Sequence, residues 1–277
     1  MKILISTDIE GVAGVYHAEQ TRPGNAEYER ARIWMTAEAD AAVRGAFAGG
    51  ATEVLVNDSH AAFRNLLADR LDSRARVVQG KPRYLSMMSG LEQGCDAVCM
   101  IGYHSRAQGR GILAHTISSF AFARIWVNET ELGEAGLYGA LAGELGVPVI
   151  MGSGDDVFIE EHRPLFPHST WVQTKVAHGQ GSGVSLSPAA ACAAIEKGVE
   201  QAVSARVGGQ ASQATLFQIH APIRCRIQTQ GSAFADLFAM WPALTRIDGV
   251  TVGFEATSMG DAVRMINCLS AMSASLR

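Results

Sequence analysis

No stretch of this chain approaches the roughly 20 consecutive apolar residues that a membrane-spanning helix needs, which argues against a helical membrane protein. No run of lysine or arginine marks a basic patch, and the formal charge is −4. That balance leaves no electrostatic footprint for nucleic acid. Cysteine is scarce and odd in number: Cys95, Cys99, Cys192, Cys225 and Cys268 sit mostly inside apolar runs. The pattern argues against a disulfide framework and suits reduced, buried thiols. Cys95 and Cys99 have only a loose ligand-like spacing and flank an expected strand. Met1-Lys2 leads straight into an apolar run with no cleavage site, so a cytoplasmic chain without a secretory signal is expected. Internal repeats are absent too. What is present, 48% hydrophobic and 18% charged residues over 277, describes a globular protein of one large domain or two.

The chain is organised around its first fourteen residues. Lys2 to Thr7 reads as a buried strand, and Asp8 and Glu10 follow at a spacing that points both carboxylates to one side of an extended backbone. Gly11 and Gly14 come next, where the chain must turn. In an open α/β sheet, ligand sites gather at the carboxyl ends of strands. Two carboxylates held together there repel unless a proton or a cation intervenes. Two readings stand at this point: a metal site, or a strand ending in a polar loop.

The rest of the chain alternates. Asn25 caps a helix running to about Phe47, ended by Gly49-Gly50. Thr52 to Val56, Arg74 to Gln79 and Asp96 to Ile101 read as strands, with a brief helix around Leu85 to Leu91. Arg124 to Asn128 is another strand, a helix spans about Gly133 to Leu145, and the strand Val147 to Met151 runs into Gly-Ser-Gly-Asp-Asp. This predicts an α/β fold with a mostly parallel sheet and helices on both faces. The glycine-rich stretch His178 to Val184 is the expected boundary between a catalytic domain, 1–180, and a smaller mixed α/β C-terminal domain, 181–277. Beyond it, Ser187-Pro188 starts a helix to about Val207, and alternation from Phe217 to Ile227 marks a half-buried strand. A helix near Phe234 to Met240, a strand Val250 to Phe254 and a helix from Ser258 close the chain.

Three strands end in residues able to bind a metal: Asp8 and Glu10, then His60, then His104. In a parallel sheet all three ends share one edge, and Glu134, opening a helix after a strand, can return to it. Three carboxylates and two imidazoles without a thiolate suit zinc or another borderline divalent metal. Five ligands exceed one tetrahedral site, so two metals with a bridging carboxylate follow, and His115 on its glycine-flexed loop is left for proton transfer or attack. Asp58 is a candidate to fix the tautomer of a ligand histidine, or to cap the next segment. The remaining histidines have plainer readings. His17 is expected at the surface, His162, His168 and His178 in solvent, and His220 on the outer face of its strand.

These stretches resemble the DppA-type zinc D-aminopeptidases. The likeness is carried by Asp8-Ile-Glu-Gly11, Val56-Asn-Asp-Ser-His60, Ile101-Gly-Tyr-His104 with Arg106-Ala107, His115, Gly133-Glu-Ala-Gly136 and Gly154-Asp-Asp156, and more weakly by Leu186-Ser-Pro188. The resemblance implies two zinc ions per subunit, with Asp8 as bridging ligand and Glu10, His60, His104 and Glu134 completing the coordination. It implies His115 as catalytic base or nucleophile. It also implies a homodecamer of two stacked five-membered rings and a short peptide substrate cut at its free N-terminus, with preference for D-residues such as D-alanine. Thr174 to Gly183 is looser and richer in glycine than the family pattern.

The main rival is a haloacid-dehalogenase-type phosphatase, which Asp8/Glu10 and Gly154-Asp155-Asp156 imitate; it gives His60, His104 and His115 no role. A binuclear phosphoesterase lacks its Asp-x-His opening here. A non-enzymatic Rossmann-like binding domain needs Gly-x-Gly-x-x-Gly after the first strand, which Glu10 to Gly14 does not supply.

Overall fold

Strand alternation sorts the apolar side chains of the first strand onto two faces. β1 (Lys2–Thr7) sends Ile3 and Ile5 into one core and Leu4 into another. β2 (Glu53–Asp58) does the same with Val54 and Val56 against Leu55, and β4 (Ala97–Ile101) with Ala97, Cys99 and Ile101 against Val98 and Met100. A strand apolar on both faces must be covered on both. The computed structural model, which describes residues 1–208 and 216–277, shows that covering.

With β3 (Arg76–Val78), β7 (Val149–Asp155), β8 (Thr170–Gly179) and β9 (Ser182–Ser185), these strands form a seven-stranded sheet in the order β3-β2-β1-β4-β7-β8-β9. Every pairing is parallel except β8 with β9. The chain leaves β1 to one side for β2 and to the other for β4, so a switch point lies between the carboxyl ends of β1 and β4.

One face is packed by α1 (Ala26–Ala48) and α4 (Pro188–Val207). Asn25 Oδ1 accepts from the Tyr28 amide at 2.9 Å to start α1, and Ser187 with Pro188 starts α4. The other core continues through α2 (Glu134–Glu144) and α6 (Met259–Ser273) to a second, antiparallel sheet. Its order is β11-β12-β10-β5-β6, from β5 (Phe122–Val127), β6 (Thr130–Glu131), β10 (Ile223–Thr229), β11 (Thr245–Arg246) and β12 (Thr251–Ala256), with α5 (Ser232–Ala239) against it.

The expected α/β class is borne out, with differences in detail. The stretch 178–184 is the tip of the β8–β9 hairpin, so the boundary expected at 180/181 falls inside a hairpin of the main sheet. Strands β5 and β6, from the first part of the chain, pair into the second sheet with β10. The helix expected at Leu85 to Leu91 is two single 3-10 turns, Ser86–Met88 and Leu91–Gln93, because Gly90 between them is left-handed at φ +115°. Phe217 and Ile219 pack against the core, but the ladder starts only at Ile223, after Pro222, which has no amide hydrogen to donate. The Gly-Ser-Gly-Asp segment is the end of β7, and its Asp155 caps α3 (Asp156–His162). Among the described residues no helix is long and apolar enough to cross a membrane.

Candidate metal centre

The carboxyl ends of β1 and β4 touch through their glycines. The Gly11 amide donates to the Gly102 carbonyl at 2.7 Å and the Asp8 amide to the Ile101 carbonyl at 2.8 Å. A Cβ on Gly11 would stand 1.9 Å from the Tyr103 carbonyl oxygen, and one on Gly102 2.4 Å from that of Asp8. Only glycine permits this approach, and it brings Asp8 and His104 face to face. Beneath them Ser6 Oγ hydrogen-bonds both Ser59 Oγ and the Tyr103 hydroxyl at 2.7 Å, tying the three strand ends together.

All six residues expected at the site converge. His60 Nδ1 lies 3.2 Å from Asp8 Oδ1 and 3.1 Å from Glu10 Oε2. His104 Nε2 lies 3.4 Å from Asp8 Oδ2 and 3.5 Å from Glu134 Oε1. His115 Nε2 is 3.6 Å from Glu134 Oε1, and its ring stacks on His104 with centroids 4.2 Å apart. Ligand atoms of Asp8, Glu10 and His104 form one compact group, and those of His104, His115 and Glu134 a second, each within 4.8 Å.

The histidine tautomers follow from what each ring holds on its far side. His60 Nε2 donates to the Thr21 carbonyl (2.9 Å), His104 Nδ1 to that of Ser105 (2.9 Å) and His115 Nδ1 to that of Leu113 (2.9 Å). In the neutral rings, His60 Nδ1 and the Nε2 atoms of His104 and His115 therefore carry lone pairs toward the carboxylates. His104 Nε2 and Glu10 Oε2 are buried and make no hydrogen bond, which is costly for polar atoms unless something else binds them.

The electrostatics agree. Burial disfavours the Asp8 carboxylate and Glu10 beside it adds repulsion, so its pKa is raised. Burial would also raise Glu10 and Glu134, but His60 holds the first well below its ordinary value and His104 lowers the second. Burial would lower His60 and His104, yet Glu10 and Asp8 push the first, and Glu134 and Asp8 the second, well above the usual imidazole range. The cluster demands positive charge at its centre, as protons on the rings or as a cation. Three carboxylates and imidazole nitrogens with converging lone pairs fit a borderline divalent ion. His115 is the most open of the six, with a side-chain exposure of 21% against 9% or less for the others.

Asp58 caps rather than orients: its carboxylate accepts from the amides of Asn65 (2.5 Å) and Leu66 (2.8 Å), while His60 is held by Thr21. Asp155 holds the amides of Ile112 and Phe158, and Asp156 that of Ala177. His162, expected in solvent, is fully buried; it follows the phenylalanine side of α3 inward, with Nδ1 donating to the Phe158 carbonyl. His17 is exposed, as expected, and caps the 3-10 turn Ala18–Thr21. Sequence reasoning missed Glu38 and Lys175, both buried behind the Asp8–Glu10 loop. The strand-like run Thr170 to Val176 was the only available signal for Lys175. A cleft of about 800 Å³ is lined by Arg106, Arg110, Glu161 and Gln180 among others but by none of the six site residues; its Arg106 packs on Gly133, the residue before Glu134.

An α/β fold with a buried carboxylate–histidine cluster at its switch point defines a metal-dependent hydrolase. The D-aminopeptidase family matches residues 1–268, and the chain belongs to that family of aminopeptidases. It is 36% identical over 191 residues, 69% of each chain, to the D-aminopeptidase of Bacillus subtilis (strain 168). Its structure superposes with a TM-score of 0.91 and 28% identity on the Zn-dependent D-aminopeptidase DppA from Bacillus subtilis, described as a self-compartmentalizing protease, covering 99% of this chain and 98% of that one.

Proposed function

We propose that this protein is a two-zinc aminopeptidase that releases residues from the free N-terminus of short peptides and prefers D-residues such as D-alanine. The observation that carries the reading is the convergence of Asp8, Glu10, His60, His104 and Glu134 in one buried cluster. Asp8 offers one oxygen toward His60 and the other toward His104, the arrangement of a bridging ligand. Glu10 and His60 attend one side of it, and His104 and Glu134 the other. Family membership and the zinc-dependent relative support the choice of zinc over other divalent ions. Bound zinc supplies Lewis acidity toward the scissile carbonyl and lowers the pKa of water beside it.

The chain's own residues then have distinct tasks. His115 keeps its proton on Nδ1 through Leu113, so Nε2 is free to take a proton or to attack. Its position at the open side of the cluster suits contact with substrate. Glu134 is itself anchored by the Ile117 amide at 2.6 Å, which ties the ligand to the loop carrying His115. The cleft beside Arg106 gives room for the remainder of a short peptide. Assembly into a homodecamer is part of the proposal, supported by the self-compartmentalizing relative. A cytoplasmic setting is supported by five free cysteines.

The test is hydrolysis of matched D-alanyl and L-alanyl peptides, with chelator and with added zinc. Zinc-dependent cleavage favouring the D-peptide is expected. Cleavage of the L-peptide alone overturns the specificity, and cleavage of neither by metal-loaded protein overturns the peptidase reading.

A further inference from the structure

The loop that carries Asp8 and Glu10 is held from behind by a buried cation that the metal centre does not require for coordination. Lys175 lies on β8 with 2% exposure. Its ammonium donates to the Glu10 carbonyl at 2.5 Å and to the Val15 carbonyl at 2.7 Å. One side chain therefore closes the 10–15 segment at both ends. Neighbouring groups satisfy the backbone between. Thr174 Oγ1 donates to the Gly11 carbonyl, Glu38 Oε1 accepts from the Ala13 amide, and Ser185 Oγ accepts from the Gly14 amide, each at 2.8 Å.

Taking an ammonium out of water is costly unless acceptors and opposite charges surround it, and an apolar side chain of similar volume fills such a place at less cost. Asp155 on β7 and Glu10 in the loop supply negative charge that faces Lys175, and the carboxyl of Glu38 on α1 faces it too. Asp155 also holds the Ile112 amide at 2.7 Å, on the segment leading to His115. The lysine thus stands between the two loops that bring the centre together, and it touches the main chain of a metal ligand rather than its carboxylate.

We propose that Lys175 is a positioning residue for the metal centre: by fixing the Glu10 and Val15 carbonyls it sets the backbone from which Asp8 and Glu10 reach His60 and His104. The inference rests on the two-zinc reading above. Residues that orient ligands from outside the coordination sphere typically change metal affinity by about 10–100-fold when removed.

The experiment compares wild type with Lys175→Met and Lys175→Gln. Zinc affinity is read by competition with a chromophoric chelator, and the zinc-induced rise in melting temperature is read alongside. Lys175→Met is expected to bind zinc at least about tenfold more weakly and to gain less on zinc addition, with Lys175→Gln, which keeps a donor nitrogen, in between. A lysine that only stabilised the fold would lower the melting temperature of metal-free and loaded protein alike and leave the affinity unchanged; that result overturns the proposal. If Lys175→Met does not fold, Lys175→Gln is read by the same criteria. Failure of both to fold makes Lys175 a general folding residue and also overturns the proposal. Wild-type protein that takes up no zinc removes the two-zinc reading itself, so the two failures are distinct.

Discussion

His115 and His104 lie ring on ring, 4.2 Å apart, yet their surroundings divide their work. His104 is buried with an unpartnered Nε2, whereas His115 reaches the open side of the cluster. His115→Ala is therefore expected to keep its bound metal and lose about 100-fold or more in turnover, as loss of a proton-transfer group does; metal analysis beside kcat checks both halves. Asp8→Ala is expected to lose bound metal, and full retention of both ions rejects the bridging role. A third expectation concerns Glu38, whose burial pushes its carboxyl up to about 7. A carboxyl raised above its unfolded value of 4.5 stabilises the protein fully below that pH, and this is lost as pH rises through the folded value. The stability of wild type relative to Glu38→Gln is thus expected to fall by about 3 kcal/mol between pH 5 and pH 8, read by denaturant unfolding; a difference that stays constant with pH rejects the buried ionisation. At this scale Asp8, Glu10, His60 and His104 were legible because they follow strand ends, and Glu134 because it opens a helix after a strand. Lys175 and Glu38 were not: in one dimension a lysine in an alternating strand and a glutamate within a helix both look like solvated faces.

At the scale of elements, the β1 and β4 ends meet only because Gly11 and Gly102 have no side chain. Gly11→Ala places a Cβ 1.9 Å from a backbone oxygen, so the loop must move. The expected result is a loss of stability of about 1–3 kcal/mol together with weakened metal binding; an unchanged melting temperature and zinc content would show that the loop accommodates the methyl group. The same local reasoning located most strands and helices within a few residues, since caps such as Asn25 and Ser187 are written beside them. It misjudged the 178–184 stretch. Glycine-rich sequence is shared by linkers and hairpin turns, and the pairing of β8 with β9 decides between them.

For the whole molecule, the cluster's demand for positive charge has a consequence for pH. In metal-free protein the raised His60 and His104 stabilise the fold below the ordinary imidazole value of 6.5, and that contribution is lost as pH rises through their higher folded values. Melting temperatures in chelator are expected to fall on raising the pH above neutral, and added zinc is expected to reverse the loss because metal binding displaces those protons. A chelated protein with a flat alkaline profile would count against protonated histidines at the centre.

By itself the sequence determined the α/β alternation, the strand-end placement of Asp8, Glu10, His60 and His104, and the likeness to zinc D-aminopeptidases, because strand period, helix caps and short motifs are local properties. Only the tertiary structure decided which strands are neighbours, that β5 and β6 leave the first part of the chain for the second sheet, and that Lys175 reaches the Glu10 loop across 165 positions. Those contacts come from packing two faces of one sheet at once, a long-range condition that no local window contains.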